Sequence, residues 1–406
     1  MIRVLRIINR FNLGGPTYNA VNLTRYLPGD FETLLYGGMH EAGEASSCYI
    51  AEQAGVEYHI LNRMHRAIRP LDDSLSYLEI ARIIRDFRPH IVHTHASKAG
   101  ALGRAAAIRA RVPVIVHTFH GHVLDSYFSP LKNRIFTGIE RSLARRTDSI
   151  IALSEKQKND LTQLLGPDKA RKIAVIPLGF DLDKFLAPQQ EKRRQFRERY
   201  GLDDHVVAAG IIGRLVAVKN HRLFLEAVRQ ASIHAKQPFH AFITGDGEER
   251  EKLEKTAEEM GILFNTSTVQ RKHAILSFTS WIKEMDTVMA GLDFVALSSF
   301  NEGTPVSLIE AQAAGKAMVS TRVGGIEDIV QEGITALLSD PGDEAAFVAN
   351  FIRMIDDHDL RMSFSGPARE WTQRRFSHRR LADDMAAHYM KLLQGKDIRD
   401  TEGIRT

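Results

Sequence analysis

Short apolar runs alternate with longer amphipathic stretches along most of the chain. The runs Val4–Ile8, Glu32–Tyr36, Val56–Ile60, Ile91–His95, Val114–His117, Ser149–Leu153 and Ala174–Pro177 read as strands. Helical spacing separates them, as in Pro16–Leu27, Ser74–Phe87 and Phe136–Arg145. A second series follows at His205–Gly210, His240–Thr244, Ala274–Phe278, Asp293–Leu297 and Lys316–Ser320. Strands that take turns with helices predict βαβ units and parallel sheets. The 406 residues exceed one ordinary core. The polar stretch Gly179–Arg199, with Pro188, marks the expected boundary. We therefore expect two doubly wound domains, residues 1–185 and 186–368. In open parallel sheets, ligands bind beyond the C-terminal strand ends. Two such edges facing each other would make a cleft, and the chemistry is expected there.

Composition narrows the function classes. The chain is 44% hydrophobic and 26% charged, as in soluble globular proteins. A single cysteine, Cys48, excludes an internal disulfide framework and a multi-thiolate zinc site, and it points to a reducing cytoplasm. No apolar run approaches the roughly 18 residues of a membrane span, and the N-terminus lacks a signal-peptide core. Net charge is +4 but uneven: residues 1–190 hold 25 Lys+Arg against 18 Asp+Glu, the remainder 29 against 32. A basic first half suits phosphates, nucleic acid or an anionic membrane surface; each cluster also fits a solvated helix face. No aromatic-interleaved motif accompanies the cations, so no nucleic-acid partner is expected.

Five motifs sit at predicted strand ends. In FNEGTPVSLIEAQAAGKAMVSTRVGGIEDIV (300–330), Thr304 is the expected N-cap and Pro305 the first helical residue, with Gly315 ending the helix. The amides of Gly303, Thr304 and Val306 then face a phosphate. Glu302 and Glu310, eight positions apart, suit neutral sugar hydroxyls. In GRLVAVKNH (213–221), Arg214 and Lys219 can neutralise a leaving diphosphate. In FNLGGP (11–16), Gly14 and Gly15 allow close backbone approach but do not make the dinucleotide GxGxxG. In ITGDGEERE (243–251), Gly245 and Gly247 either contact a nucleotide or make a plain turn. The histidine-rich IVHTHASKAG and VHTFHGH place His95, Lys98 and His120 at the cleft floor; packing inside the sheet is the alternative reading for His120 and an equal one for His93 and His117. Nothing accompanies these histidines at metal-ligand spacing. Asp181-Leu182-Asp183 imitates a metal-binding DxD but stands in the crossover, so no metal is expected.

Together these residues resemble family-4 glycosyltransferases with the GT-B fold. The likeness covers nearly the whole chain. It implies two Rossmann-like domains facing across a cleft and a C-terminal helix, Arg369–Leu393, that returns to the first domain with Trp371 and Phe376 as anchors. Carried over, it implies that Glu302 holds donor-sugar hydroxyls and Glu310 the ribose hydroxyls. Arg214 and Lys219 hold the diphosphate, His120 sits near the donor sugar, and Gly14 and Gly15 approach the phosphates. It further implies transfer with retention from a nucleotide-diphosphate sugar, by default UDP-linked, with no obligate cofactor. The acceptor is a sugar, lipid-linked or other hydroxyl, and Arg66, Arg69, Lys132 and Arg134 suit an anionic membrane surface. Trp281 replaces the family's usual pattern and either stacks on the base or covers the core. The rival readings are a non-hydrolysing UDP-sugar 2-epimerase and a non-catalytic nucleotide-sugar-binding protein.

Overall fold

Both strand series form fully parallel seven-stranded sheets. The computed structural model describes residues 1–12, 15–40, 46–65, 67–120 and 130–396, without the side chains of 130–133. Gly14, Arg66, the Lys132 side chain and the loops at 41–45 and 121–129 lie outside the described residues. The chain divides into two units, one of residues 1–181 plus 375 onward, the other of Leu182–Arg374.

The first unit holds β1 (Ile2–Arg10), β2 (Phe31–Gly38), β3 (Tyr58–Ile60), β4 (Ile91–His95), β5 (Val114–Thr118), β6 (Ser149–Ala152) and β7 (Ile173–Val175). Their order is β3-β2-β1-β4-β5-β6-β7. Alternation along β1 divides its apolar residues: Leu5 and Ile7 enter one core, Val4 another on the opposite face. A parallel sheet covered on both faces needs such two-sided apolar strands. The C-terminal segment is two helices, His358–Phe376 and His378–Gln394, where a single one was expected. Ser377 interrupts them with extended backbone, and its hydroxyl accepts from the Arg379 amide at 3.2 Å. Leu381, Met385, Tyr389 and Leu393 of the second helix, four apart, then pack on the first sheet.

The second unit holds β8 (Val207–Ile212), β9 (Phe239–Thr244), β10 (Phe264–Asn265), β11 (Leu276–Ser280), β12 (Phe294–Leu297), β13 (Ala317–Thr321) and β14 (Ala336–Ser339). Their order is β10-β11-β9-β8-β12-β13-β14. Strand order reverses at β8, so β8 and β12 flank the switch point where a ligand crevice opens. Their pairing covers only Phe294–Ala209 and Val295–Gly210. Beyond that, β8 stays with β9 and β12 with β13.

Backbone packing at this edge requires glycine in two places. Gly245 has φ +144°, and a Cβ there would stand 1.9 Å from the Gly213 carbonyl oxygen. Gly324 has φ +55°, with a Cβ 1.8 Å from the Glu302 oxygen. Alanine at Gly324 meets both a disfavoured backbone region and fixed backbone atoms, so it should destabilise by roughly 1–3 kcal/mol or more. Gly303 has nothing within 4 Å of its Cβ position. We expect thermal unfolding of Gly324→Ala to fall by several degrees and that of Gly303→Ala to match the wild type.

Candidate active site

Three loops are stitched together at the C-terminal edge of the second sheet. Ser298, just past β12, donates its hydroxyl to the carbonyls of Lys219 (3.1 Å) and Asn220 (2.9 Å) in the loop past β8. The Phe300 amide donates to the Val218 carbonyl at 2.8 Å. From the other side, Thr321 Oγ1 donates to the Ser299 carbonyl (2.7 Å) and the Gly325 amide to that of Glu302 (3.0 Å). The loop carrying Glu302 is thus held from both flanks. Across the diverging strands, Lys219 Nζ lies 2.6 Å from Glu302 Oε1, and Ser299 Oγ donates to the same oxygen at 2.5 Å. Both side chains are mostly buried, 20% and 10% exposed. The two bonds converge on Oε1 and leave Oε2 as the remaining acceptor.

The helix Val306–Ala313 begins later than expected. Pro305 takes the cap position with φ −69° and ψ 105°, and no side chain caps the helix. The cause is the stitching just described: residues 302–303 lie against Gly324 and Gly325, which draws the chain into an extended course through Thr304. Among the described residues, the amides of Gly303, Thr304 and Val306 donate to nothing. They remain available to an anion. Arg214 is exposed nearby in sequence, at the end of the β8 turn.

Glu310, one turn into this helix, is largely buried. Burial pushes its carboxyl up to about 7, opposed by Lys184 and reinforced by Asp286. Lys184 belongs to the short helix Asp183–Leu186, which packs against the helices Met285–Gly291 and Val306–Ala313. The DxD imitation is therefore a crossover anchored by buried Leu182 and Phe185. Among the described residues, no group of three or more His, Cys, Asp or Glu could hold a metal.

The Gly245-Asp246-Gly247 turn is tied to the end of β11. The Gly245 amide donates to the Ser280 carbonyl (3.1 Å), and Ser280 Oγ donates to Asp246 Oδ2 (3.0 Å). Trp281 follows and is 54% exposed, so it does not cover the core and its ring stays open for stacking.

In the first unit, Gly15 opens the helix Gly15–Tyr26 beyond β1. His93, His95 and His117 are fully buried. His95 therefore does not line an open floor as expected; its Nδ1 lies 2.9 Å from His120 Nε2. Lys98 is likewise engaged, donating to Asp73 at 2.6 Å. Burial holds all four histidines well below their ordinary range, His120 at about 3, so each is neutral.

The second half matches the family model of glycosyl transferases group 1 over residues 192–371, and the first half matches that of glycosyltransferase family 4 over residues 13–184. The chain is 30% identical to the UDP-Gal:alpha-D-GlcNAc-diphosphoundecaprenol alpha-1,3-galactosyltransferase of Escherichia coli, over 73% of this chain and 74% of that one. The chain belongs to the group 1 glycosyltransferases of the GT-B fold. A D-inositol 3-phosphate glycosyltransferase of Xylanimonas cellulosilytica is 27% identical, with 70% and 68% covered. The crystal structure of Anabaena Alr3699/HepE in complex with UDP shares the fold, with TM-score 0.79, 18% identity, and 96% and 100% covered.

In this glycosyltransferase, the sequence motifs that meet directly are Lys219 with Glu302. Ser299, Lys184, Asp286 and Ser280 had no local signal, because tertiary packing alone brings them to the motif residues. Glu310 makes stability depend on pH. Its folded-state pKa lies above the unfolded value, so the folded state binds more protons between about 4.5 and 7, and stability falls as pH rises through that window. We expect Glu310→Gln to remove up to about 3 kcal/mol of this decline, read from urea unfolding of both proteins at pH 5 and pH 7.5.

Proposed function

We propose that this glycosyltransferase moves a hexose from UDP-hexose, with retention of configuration, onto a hydroxyl of a sugar carried by a lipid diphosphate. The observation that carries the reading is the Lys219–Glu302 pair at the switch point, where a cation for phosphate and a carboxylate for hydroxyls share one crevice. The E. coli relative, whose name specifies a UDP-sugar donor and a diphosphoundecaprenol acceptor, supports the substrate classes. HepE has been crystallised with UDP and with UDP-glucose, which supports the donor base.

On donor binding, Lys219 and Arg214 take the diphosphate together with the Gly303, Thr304 and Val306 amides. Glu302 then accepts from sugar hydroxyls, Glu310 from ribose hydroxyls, and Trp281 stacks on the base beside the Gly245 and Gly247 turn. Gly15 approaches the phosphates. His120 supplies a neutral hydrogen-bond donor to the transferred sugar. As the C1–O bond breaks, negative charge grows on the departing diphosphate and the cations stabilise it. The acceptor oxygen bonds C1 on the same face, and its proton passes to a phosphate oxygen of the leaving group. No metal or other cofactor is required by this scheme.

A membrane-facing surface fits a lipid-linked acceptor. The helix Pro70–Phe87 exposes Leu71, Leu75 and Leu78 at 42–82%, preceded by Ile68 at 67%. Arg82 and Arg85 continue this stripe, and Arg63 and Arg69 flank it. These arginines pair with Asp72 and Asp86, so the exposed leucines are the main membrane-seeking feature of this face, with the arginines at the interface. No helix among the described residues is long and apolar enough to cross a membrane.

Lys219→Ala and Glu302→Ala should each lower transfer by about 10²–10³-fold, as loss of one preorganised charge-stabilising group does. This is measured as UDP release with labelled hexose. Near-wild-type rates in both would overturn the reading, and a C2 epimer formed from donor alone would replace it with an epimerase. Among UDP, GDP and ADP, UDP should raise the melting temperature most. Cosedimentation with anionic vesicles should weaken when Leu71 and Leu78 become serine.

A further inference from the structure

His120 does not stand alone: a chain of buried polar contacts runs to it from the C-terminal helix. Arg6, fully buried in β1, donates Nη1 to Thr24 (2.7 Å) and Nη2 to the Tyr389 hydroxyl (3.4 Å). A hydroxyl that accepts from arginine turns its own proton outward, here to His93 Nδ1 at 2.5 Å. His93 therefore carries its proton on Nε2, which faces Thr118 Oγ1 at 2.7 Å. The His93 ring stacks on that of His95, centroids 4.2 Å apart. This fixes the plane of His95 and aims its Nδ1 at His120 Nε2.

One proton lies between the two rings and one remains to be placed. Among the described residues, His95 Nε2 and His120 Nδ1 are both buried and without a partner. His95 is enclosed within the sheet, whereas His120 stands at its C-terminal edge and is partly exposed. A buried N–H without an acceptor is rarer than an unfilled lone pair. Both nitrogens are buried, but His95 Nε2 is sealed inside the sheet, whereas His120 stands at the sheet edge where a bound ligand can supply an acceptor; the lone pair is therefore placed on His95 Nε2 and the N–H on His120 Nδ1.

We propose that His95 is a positioning residue: it donates from Nδ1 to His120 Nε2 and so locks His120 as an Nδ1–H donor toward the reacting sugar. The donor role rests on the function proposed above; the tautomer does not. With neutral rings, no proton is exchanged in the ground state and the pair serves orientation alone. Asparagine at position 95 places an amide N–H near the Nδ1 position, whereas glutamine places it near Nε2.

The test is ring-nitrogen NMR of the full-length chain labelled with ¹⁵N-histidine, with His120 assigned by loss of its signals in His120→Phe. Wild type and His95→Asn should show His120 protonated at Nδ1; His95→Phe and His95→Gln should lose that signature. With melting temperature as the control for folding, transfer kcat/KM should fall roughly tenfold or more in His95→Phe and His95→Gln. It should recover to within a few-fold in His95→Asn. If His95→Phe does not fold, the Asn and Gln pair carries the comparison. An Nε2–H His120 in the wild type, or the same tautomer in all variants, overturns the proposal. Wild-type turnover by His120→Phe would instead overturn the role of His120 in transfer, with the tautomer result still standing.

Discussion

The divergence of β8 from β12 is the constraint on which the site depends. At such a switch point the chain leaves the two central strands toward opposite faces of the sheet, which opens a crevice between the loops that follow them. Here pairing between them ends at Val295 and Gly210. The gap exposes two loops to each other, and an ion pair spans it. Lys219 and Glu302 are largely withdrawn from water, so their attraction is stronger than at a surface, yet each has also lost hydration. Such a pair is a poor source of stability. In the function we propose, the pair is two groups held ready for a ligand that offers phosphate to one and hydroxyls to the other.

The surrounding hydrogen bonds explain why this pair is fixed in place. Ser298 and Phe300 tie the Glu302 loop to the Lys219 loop, while Thr321 and Gly325 tie it to the loop past β13. Gly245 and Gly324 let backbones meet where any side chain would collide. The cost of this arrangement is visible in Glu310, whose carboxyl is left with too little solvation to ionise at its ordinary pH. A ribose hydroxyl would supply what water no longer does.

Much of the fold was legible because parallel strands covered on both faces must be largely apolar, and runs such as Val114–Val116 and Val207–Ile212 are. The two strands that escaped notice, β10 and β14, are the edge strands of the second sheet, two and four residues long. The single expected C-terminal helix proved to be two, because Ser377 both breaks and caps. Thr304 looked like an N-cap by residue type, but loop-to-loop bonds displaced the helix start to Val306, an effect that no local pattern carries. For the candidate site, spacing singled out Glu302, Glu310, Arg214 and Lys219, of which the structure brings Lys219 and Glu302 into contact. It could not reveal Ser299, Lys184 or the Tyr389–His93–His95 contacts, which join residues up to hundreds of positions apart. His95 illustrates the limit: its place at a strand end suggested an open floor, while packing against His93 buries it completely.

The most direct test is a crystal structure with an intact UDP-hexose bound. The account predicts that Lys219 Nζ leaves Glu302 for a diphosphate oxygen, that Glu302 turns to a hexose hydroxyl, and that Glu310 accepts from the ribose. A donor bound elsewhere, with the Lys219–Glu302 pair undisturbed, would contradict it.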